Sequence, residues 1–144
     1  MGRIIIIASI VIATLVTLAP QSAEASATCA IEASRAIPSA QAYFDTLPDR
    51  FDAASASRTH AVVQWNLGGP CGGAWHAVID GNELTVKRGT APNPTLTITM
   101  AADDYVAMVN LEVNGRWLFV SGKGKVDGSI PLAMKLDSIF PLGG

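Results

Sequence analysis

The chain has 144 residues, with 10 lysines and arginines against 12 aspartates and glutamates and a formal net charge of −2. That length bounds one domain with a single core, and a near-neutral chain without a lysine or arginine run excludes the basic face that nucleic acid requires. Small molecules or protein partners remain.

The first stretch, "MGRIIIIASIVIATLVTLAPQSAEASATC", opens on Arg3, runs largely apolar from Ile4 to Ala19 and passes through Pro20 into small residues. This is the three-part layout of a secretory signal peptide, with A-x-A sites at Ala23 to Ala25 and Ala25 to Ala27. The run is shorter than the roughly 20 apolar residues of a spanning helix. The expected organisation is a cleaved signal over 1–27, an N-terminal arm over 28–38 and one domain over 39–144, secreted or periplasmic. Cleavage after Ala25 or Ala27 is left open. Ser26, Ala27 and Thr28 before Cys29 do not suit lipidation of that cysteine. Cys29 and Cys71 are the two cysteines, and an exported chain meets an oxidising compartment. One intramolecular pairing exists; two free thiols or an intermolecular bridge are the alternatives. A Cys29–Cys71 bond would close a loop of about forty residues, worth roughly 3–5 kcal/mol in the chain-entropy model.

Ser39 is placed to cap a helix whose apolar residues Ala40, Tyr43, Phe44, Leu47 and Phe51 recur at helical spacing. Pro48 falls inside this pattern and predicts a bend or a second short helix. From Thr59 the period becomes two: Ala61, Val63, Trp65 and Leu67 form the buried side of a strand. "GAWHAVID" returns antiparallel, with Trp65 opposite Trp75 and a glycine-rich turn from Gly68 to Gly72. Phosphate loops sit between a strand and a helix, and no helical pattern follows this one.

Asp80, Gly81 and Asn82 turn into the strand "ELTVKRG", and "GTAPNP" is a loop. In "TLTITM", Leu96, Ile98 and Met100 alternate with threonines as a half-buried strand. Ala101 to Leu111 reads as an amphipathic helix led by Asp103 and Asp104. Trp117, Leu118, Phe119 and Val120 form a short apolar patch, a brief strand spans Lys125 to Asp127, and "IPLAMKLDSIFPLGG" closes as a helix with Leu132, Leu136, Ile139 and Phe140 on one stripe. The expected fold is α+β: a five-stranded, mixed, mostly antiparallel sheet with helices covering one face.

From about Ser39 to Phe140 this order resembles the sterol carrier protein 2 domain family. The resemblance rests on "VVQWNLGGPCGGAWHAVIDGNELTVKRGTAPNPTLTITMAADDYVAMVN" and "GRWLFVSGKGKVDGSIPLAMKLDSIF". These are similar to the family's Gly-Gly-x-Trp hairpin, Asp-Gly turn, alternating threonine strand, Asp-Asp-aromatic helix start and closing glycine-lysine strand before a leucine-rich helix. Membership would imply an apolar tunnel between sheet and helices for a fatty acyl chain, acyl thioester, sterol or phospholipid, and binding rather than catalysis. Ala101 departs from the serine or threonine cap frequent there, and "PLGG" is not a Ser-Lys-Leu type of ending. With the leader, the expectation is an exported, stand-alone form, a monomer with transient membrane contact and no cofactor. The alternative is an accessory interaction module whose apolar core is filled by its own helix.

On this resemblance the ligand-binding candidates are Trp65, Met100, Tyr105, Met108, Val109, Trp117, Phe119, Met134, Leu136, Ile139 and Phe140. Met100, Met108 and Met134 would give an adaptable wall, since methionine is unbranched and flexible; from periodicity alone they are equally ordinary core. No catalytic or metal site is expected. In the strand register His76 faces Gln64 and His60 faces Asp80, placing the imidazoles roughly 13 Å apart. Cys71 has no neighbouring base. Asp103 and Asp104 diverge on a helix and suit its positive end. Arg116, Lys123 and Lys125 are solvated, or meet a head group at the tunnel mouth.

Overall fold

The computed structural model describes residues 35–142. The leader, its cleavage sites and Cys29 lie outside those residues. Ser39 Oγ accepts from Ala42 N at 3.1 Å and starts α1 (Ala40–Asp45). A 3₁₀ turn, Leu47–Arg50, follows with Pro48 at its beginning, so the chain bends where the proline predicted. Asp52 then caps α2 (Ala53–Ala56), a single turn that carries no apolar period of its own.

The sheet comprises β1 (His60–Gly68), β2 (Gly73–Asp80), β3 (Glu83–Arg88), β4 (Leu96–Ala101) and β5 (Gly124–Gly128), in the order β3-β2-β1-β4-β5. All neighbours are antiparallel except β1 and β4. Trp65 lies opposite Trp75, His76 opposite Gln64 and His60 opposite Asp80, as alternation predicted. The inner face buries Val63, Trp65, Ala77, Ile79, Leu96 and Ile98. Onto it pack α1, α3 (Ala102–Val109), α4 (Gly115–Val120) and α5 (Ile130–Ile139).

Phe44 of α1 is the hub of this packing. Its ring stacks on Trp75 at 4.6 Å and on Tyr105 at 5.8 Å, and meets Trp65 and Tyr43 edge-on at 5.2 and 5.3 Å. Such aromatic pairs contribute beyond their buried area.

The connection from β3 to parallel β4 is only residues 89–95, where a crossover normally takes a dozen or more. It succeeds because β4 begins at mid-sheet, opposite Val63, and the chain runs across the outer face without a helix. Gln64 fastens it there. The Gln64 Oε1 accepts from Ala91 N at 2.7 Å, and its Nε2 donates to Trp65 O and Asn66 Oδ1 at 3.1 Å each. His76 Nδ1 lies 3.0 Å from Gly89 O in the same strap. Thus Gln64 points outward, as alternation requires, yet is 3% exposed. Gln64→Ala is expected to cost about 1–3 kcal/mol in urea unfolding, because Ala91 N–H loses its acceptor. A loss below about 0.5 kcal/mol would show the strap to be dispensable.

Two local readings are corrected. Trp117 to Val120 is not a patch but the body of α4, begun by Asn114 Oδ1 accepting from Arg116 N at 2.9 Å. Helical rotation buries Leu118 completely and leaves Trp117 and Val120 exposed. The helix expected to reach Leu111 stops at Val109. Asn110 Nδ2 donates to Val106 O and Ile37 O, its Oδ1 accepts from Ile37 N, and Leu111 adopts a left-handed φ of 61°. The same amide thereby straps the N-terminal arm to α3.

Candidate functional site

Between the inner sheet face and the helices lies a cavity of about 960 Å³, at the upper end of the roughly 300–1,000 Å³ typical of ligand sites. Trp65, Ile98 and Val126 form its floor; Tyr43 and Tyr105 its deep wall; and Met108 and Phe119 a side. The terminal helix α5 covers it with Ala133 and Leu136, and Phe140 just past its end adds to the cover. Ser129 Oγ fixes the start of α5 by accepting from Leu132 N. The far end is tied to the N-terminal segment by Asp52 N donating to Ile139 O at 2.8 Å.

The mouth carries both exposed hydrocarbon and charge. Leu111, Val120, Ile130 and Met134 line it and are 64%, 81%, 54% and 74% exposed. Arg116, Lys125 and Asp137 also reach the lining; Lys125 pairs with Asp127 at 3.2 Å. In the deep wall, burial raises the Tyr43 pKa, with Asp137 adding to the rise, while the Tyr105 hydrogen bond and Arg50 oppose it. Burial also pushes Tyr105 well above the usual phenol range, aided by Tyr43. Both hydroxyls are therefore neutral at physiological pH.

Of the residues singled out in the sequence, Trp65, Tyr105, Met108, Phe119, Met134, Leu136 and Phe140 line this cavity. Met100, Val109 and Ile139 lie outside its lining and are buried in the core. Trp117 turns to the surface, with Lys123 Nζ 5.4 Å from its ring centroid. Tyr43 was legible as a helix residue facing the core, and Ile98 as an inward strand residue, but periodicity does not separate cavity from solid core. Ala133 gave no signal at all.

Residues 42–141 match the SCP-2 sterol transfer family. The chain belongs to this family. The hydroxysteroid dehydrogenase-like protein 2 of Mus musculus is 34% identical over 83 residues, 57% of this chain but 17% of that protein. An oleate-induced peroxisomal protein of Candida maltosa is 36% identical over 52 residues, 36% of this chain and 41% of that protein. The chain thus spans about a sixth of the length of the dehydrogenase-like relatives. Among solved structures, the sterol carrier protein 2 of Yarrowia lipolytica superposes with a TM-score of 0.56 at 22% identity, over 69% of this chain and 91% of that one. An inverting sec-alkylsulfatase from Pseudomonas sp. contains the same fold in 16% of its chain, covering 70% of this one, with a TM-score of 0.58 at 20% identity.

Both histidines and Asp104 lie outside the cavity lining. His60 Nδ1 sits 2.6 Å from Asp80 Oδ1 at the exposed end of the β1–β2 pair, and His76 belongs to the outer strap. Asp104 lies 3.8 Å from Lys123.

Proposed function

We propose that this protein binds one hydrophobic lipid in the cavity beneath α5, outside the cytoplasm, and hands it to or takes it from a membrane without chemical change. The observation that carries the reading is an apolar cavity of about 960 Å³ in a chain of the SCP-2 sterol transfer family. A cavity of this size favours a bound ligand over an interaction module filled by its own helix. The exposed rim of Leu111, Val120, Ile130 and Met134 supports membrane contact at the mouth, where hydrocarbon leaves one apolar phase for another.

Export is supported by the N-terminal three-part pattern and by cysteine usage. No free thiol occurs among the described residues, which suits the Cys29–Cys71 bond. Such a bond would tether the N-terminal arm to the β1–β2 turn.

Native mass spectrometry of protein purified without denaturation, followed by extraction of the bound species, tests the proposal. A lipid-sized adduct at one per chain is expected. Affinity should also climb along a saturated acyl series. Burial contributes about 0.8 kcal/mol per methylene, so each added carbon strengthens binding by up to roughly fourfold until the cavity is full. Affinity that stays flat from eight to eighteen carbons would refute an enclosing site.

A further inference from the structure

The sheet has two edges. β3 forms one, and the 3₁₀ turn Leu47–Arg50 packs against it, while Arg88 Nη1 at its end donates to Gln41 Oε1 of α1. β5 forms the other, and among the described residues it has a strand neighbour, β4, on one side only. Such an edge offers unpaired N–H and C=O groups to a strand of matching register.

The ladder itself determines which groups are offered. Ser129 N donates to Thr95 O at 3.0 Å, one step beyond the pairing of Gly128 with Leu96. Hydrogen-bonded pairs recur at every second position from there, at Asp127 with Thr97 and Lys125 with Thr99, so the N–H and C=O of Val126 point off the sheet. The side chains alternate as well. Val126 is half-buried and lines the cavity, whereas Lys125 and Asp127, opposite the outward Thr99 and Thr97, are exposed.

From Gly124 to Gly128 the strand is Gly-Lys-Val-Asp-Gly, a pattern that is its own complement. Run antiparallel against a second copy about Val126, it sets Lys125 opposite Asp127, Asp127 opposite Lys125 and glycine opposite glycine. The opposed charges fall at the non-hydrogen-bonded positions, where Cα atoms approach to about 4.5 Å and side chains are closest. A lysine on an edge strand ordinarily blocks pairing. Here Asp127, two residues on, turns the same charge into an attraction across the seam. We propose that this protein pairs with a second copy of itself through β5, joining the two sheets edge to edge as a two-fold dimer in place of the monomer expected from the sequence. The axis passes Val126, a floor residue of the cavity, so Val126 of the second copy stands beside it on the same face and the two cavities adjoin along the seam. This pairing does not depend on what the cavity holds.

Sedimentation velocity over a concentration series, with charge exchange at the seam, tests this. The wild type is expected to run as a dimer that dissociates on dilution. Asp127→Lys sets lysine opposite lysine at both flanking positions, and Lys125→Asp sets aspartate opposite aspartate. Each variant alone should weaken the dimer at least tenfold, roughly, as two attractions become repulsions. An equimolar mixture of the two variants should restore a dimer, and so should the double exchange Lys125→Asp with Asp127→Lys, because opposite charges face each other again. A variant that had merely lost its fold would not be rescued by mixing. A wild type that stays monomeric up to about 0.1 mM overturns the proposal. So does a dimer that withstands both single exchanges, a mixture that fails to re-form one, or a dimer lost instead in Lys87→Glu, which would place the contact on the β3 edge.

Discussion

Gly128→Ala is expected to lower the melting temperature by about 10 °C or more. Gly128 ends β5 opposite Leu96 with φ at +105°, a region that side chains rarely adopt. A Cβ there would stand 2.3 Å from Thr95 O and 3.1 Å from Thr95 C, both backbone atoms that cannot swing aside. Strain and overlap together should cost about 3 kcal/mol or more. The damage spreads because the next residue, Ser129, donates its N–H to Thr95 O at 3.0 Å and caps α5. Gly122→Ala is the control. Gly122 also has positive φ, at +80°, but a Cβ there meets nothing within 4 Å, so only the conformational cost of about 1 kcal/mol applies. Calorimetric melts of the two variants should separate clearly, and equal losses would show that close approach at Thr95 is not what fixes this corner.

Ala133→Trp should abolish lipid binding while the protein stays folded. Ala133 is half-buried on α5 and lines the cavity between Leu136 and the exposed rim. An indole placed there occupies space intended for ligand and displaces no core side chain. Affinity for a hexadecyl ligand is therefore expected to fall at least thirtyfold, about 2 kcal/mol, by probe displacement. The melting temperature should change by only about 3 °C, since solid core packing is untouched. Retention of the full chain-length dependence in this variant would mean that lipid binds elsewhere. Collapse of the fold instead would identify Ala133 as packed core.

The sheet was legible in the sequence because strand alternation and turn chemistry agree. The pairing of Trp65 with Trp75, and the turns after Leu67 and Asp80, follow from period two punctuated by glycine and asparagine. Near Gly72 the chain leaves no alternative, since a Cβ there would lie 2.1 Å from Leu67 O. The short helices were less legible. Four consecutive apolar residues, Trp117 to Val120, hold no period, and the signal that identifies α4 is the preceding Asn114 cap. The cavity was legible only in part, for a physical reason. A wall residue and a core residue both face inward, and what separates them is whether an opposing side chain fills the space. Hence Tyr105 and Phe140 line the cavity, whereas Val109 and Ile139, one face-pattern apart, are packed solid. Gln64 shows the complementary limit: alternation placed it outside, and only the return of residues 89–95 across it makes it buried.

The parallel seam between β1 and β4 also divides the sheet into local and non-local pairings. β1, β2 and β3 form a meander whose partners are near neighbours in the chain, so its loops close at small entropic cost. β4 docks only when Leu96 finds Val63, across the whole meander, and it brings β5, α4 and α5 with it. Non-local pairings of this kind are the slow ones. The pairing that completes the cavity is thus less local than those of the meander. A chain in which β4 has yet to dock therefore lacks Ile98 and Val126 on the cavity floor and the cover of α5, and has no site to offer a ligand.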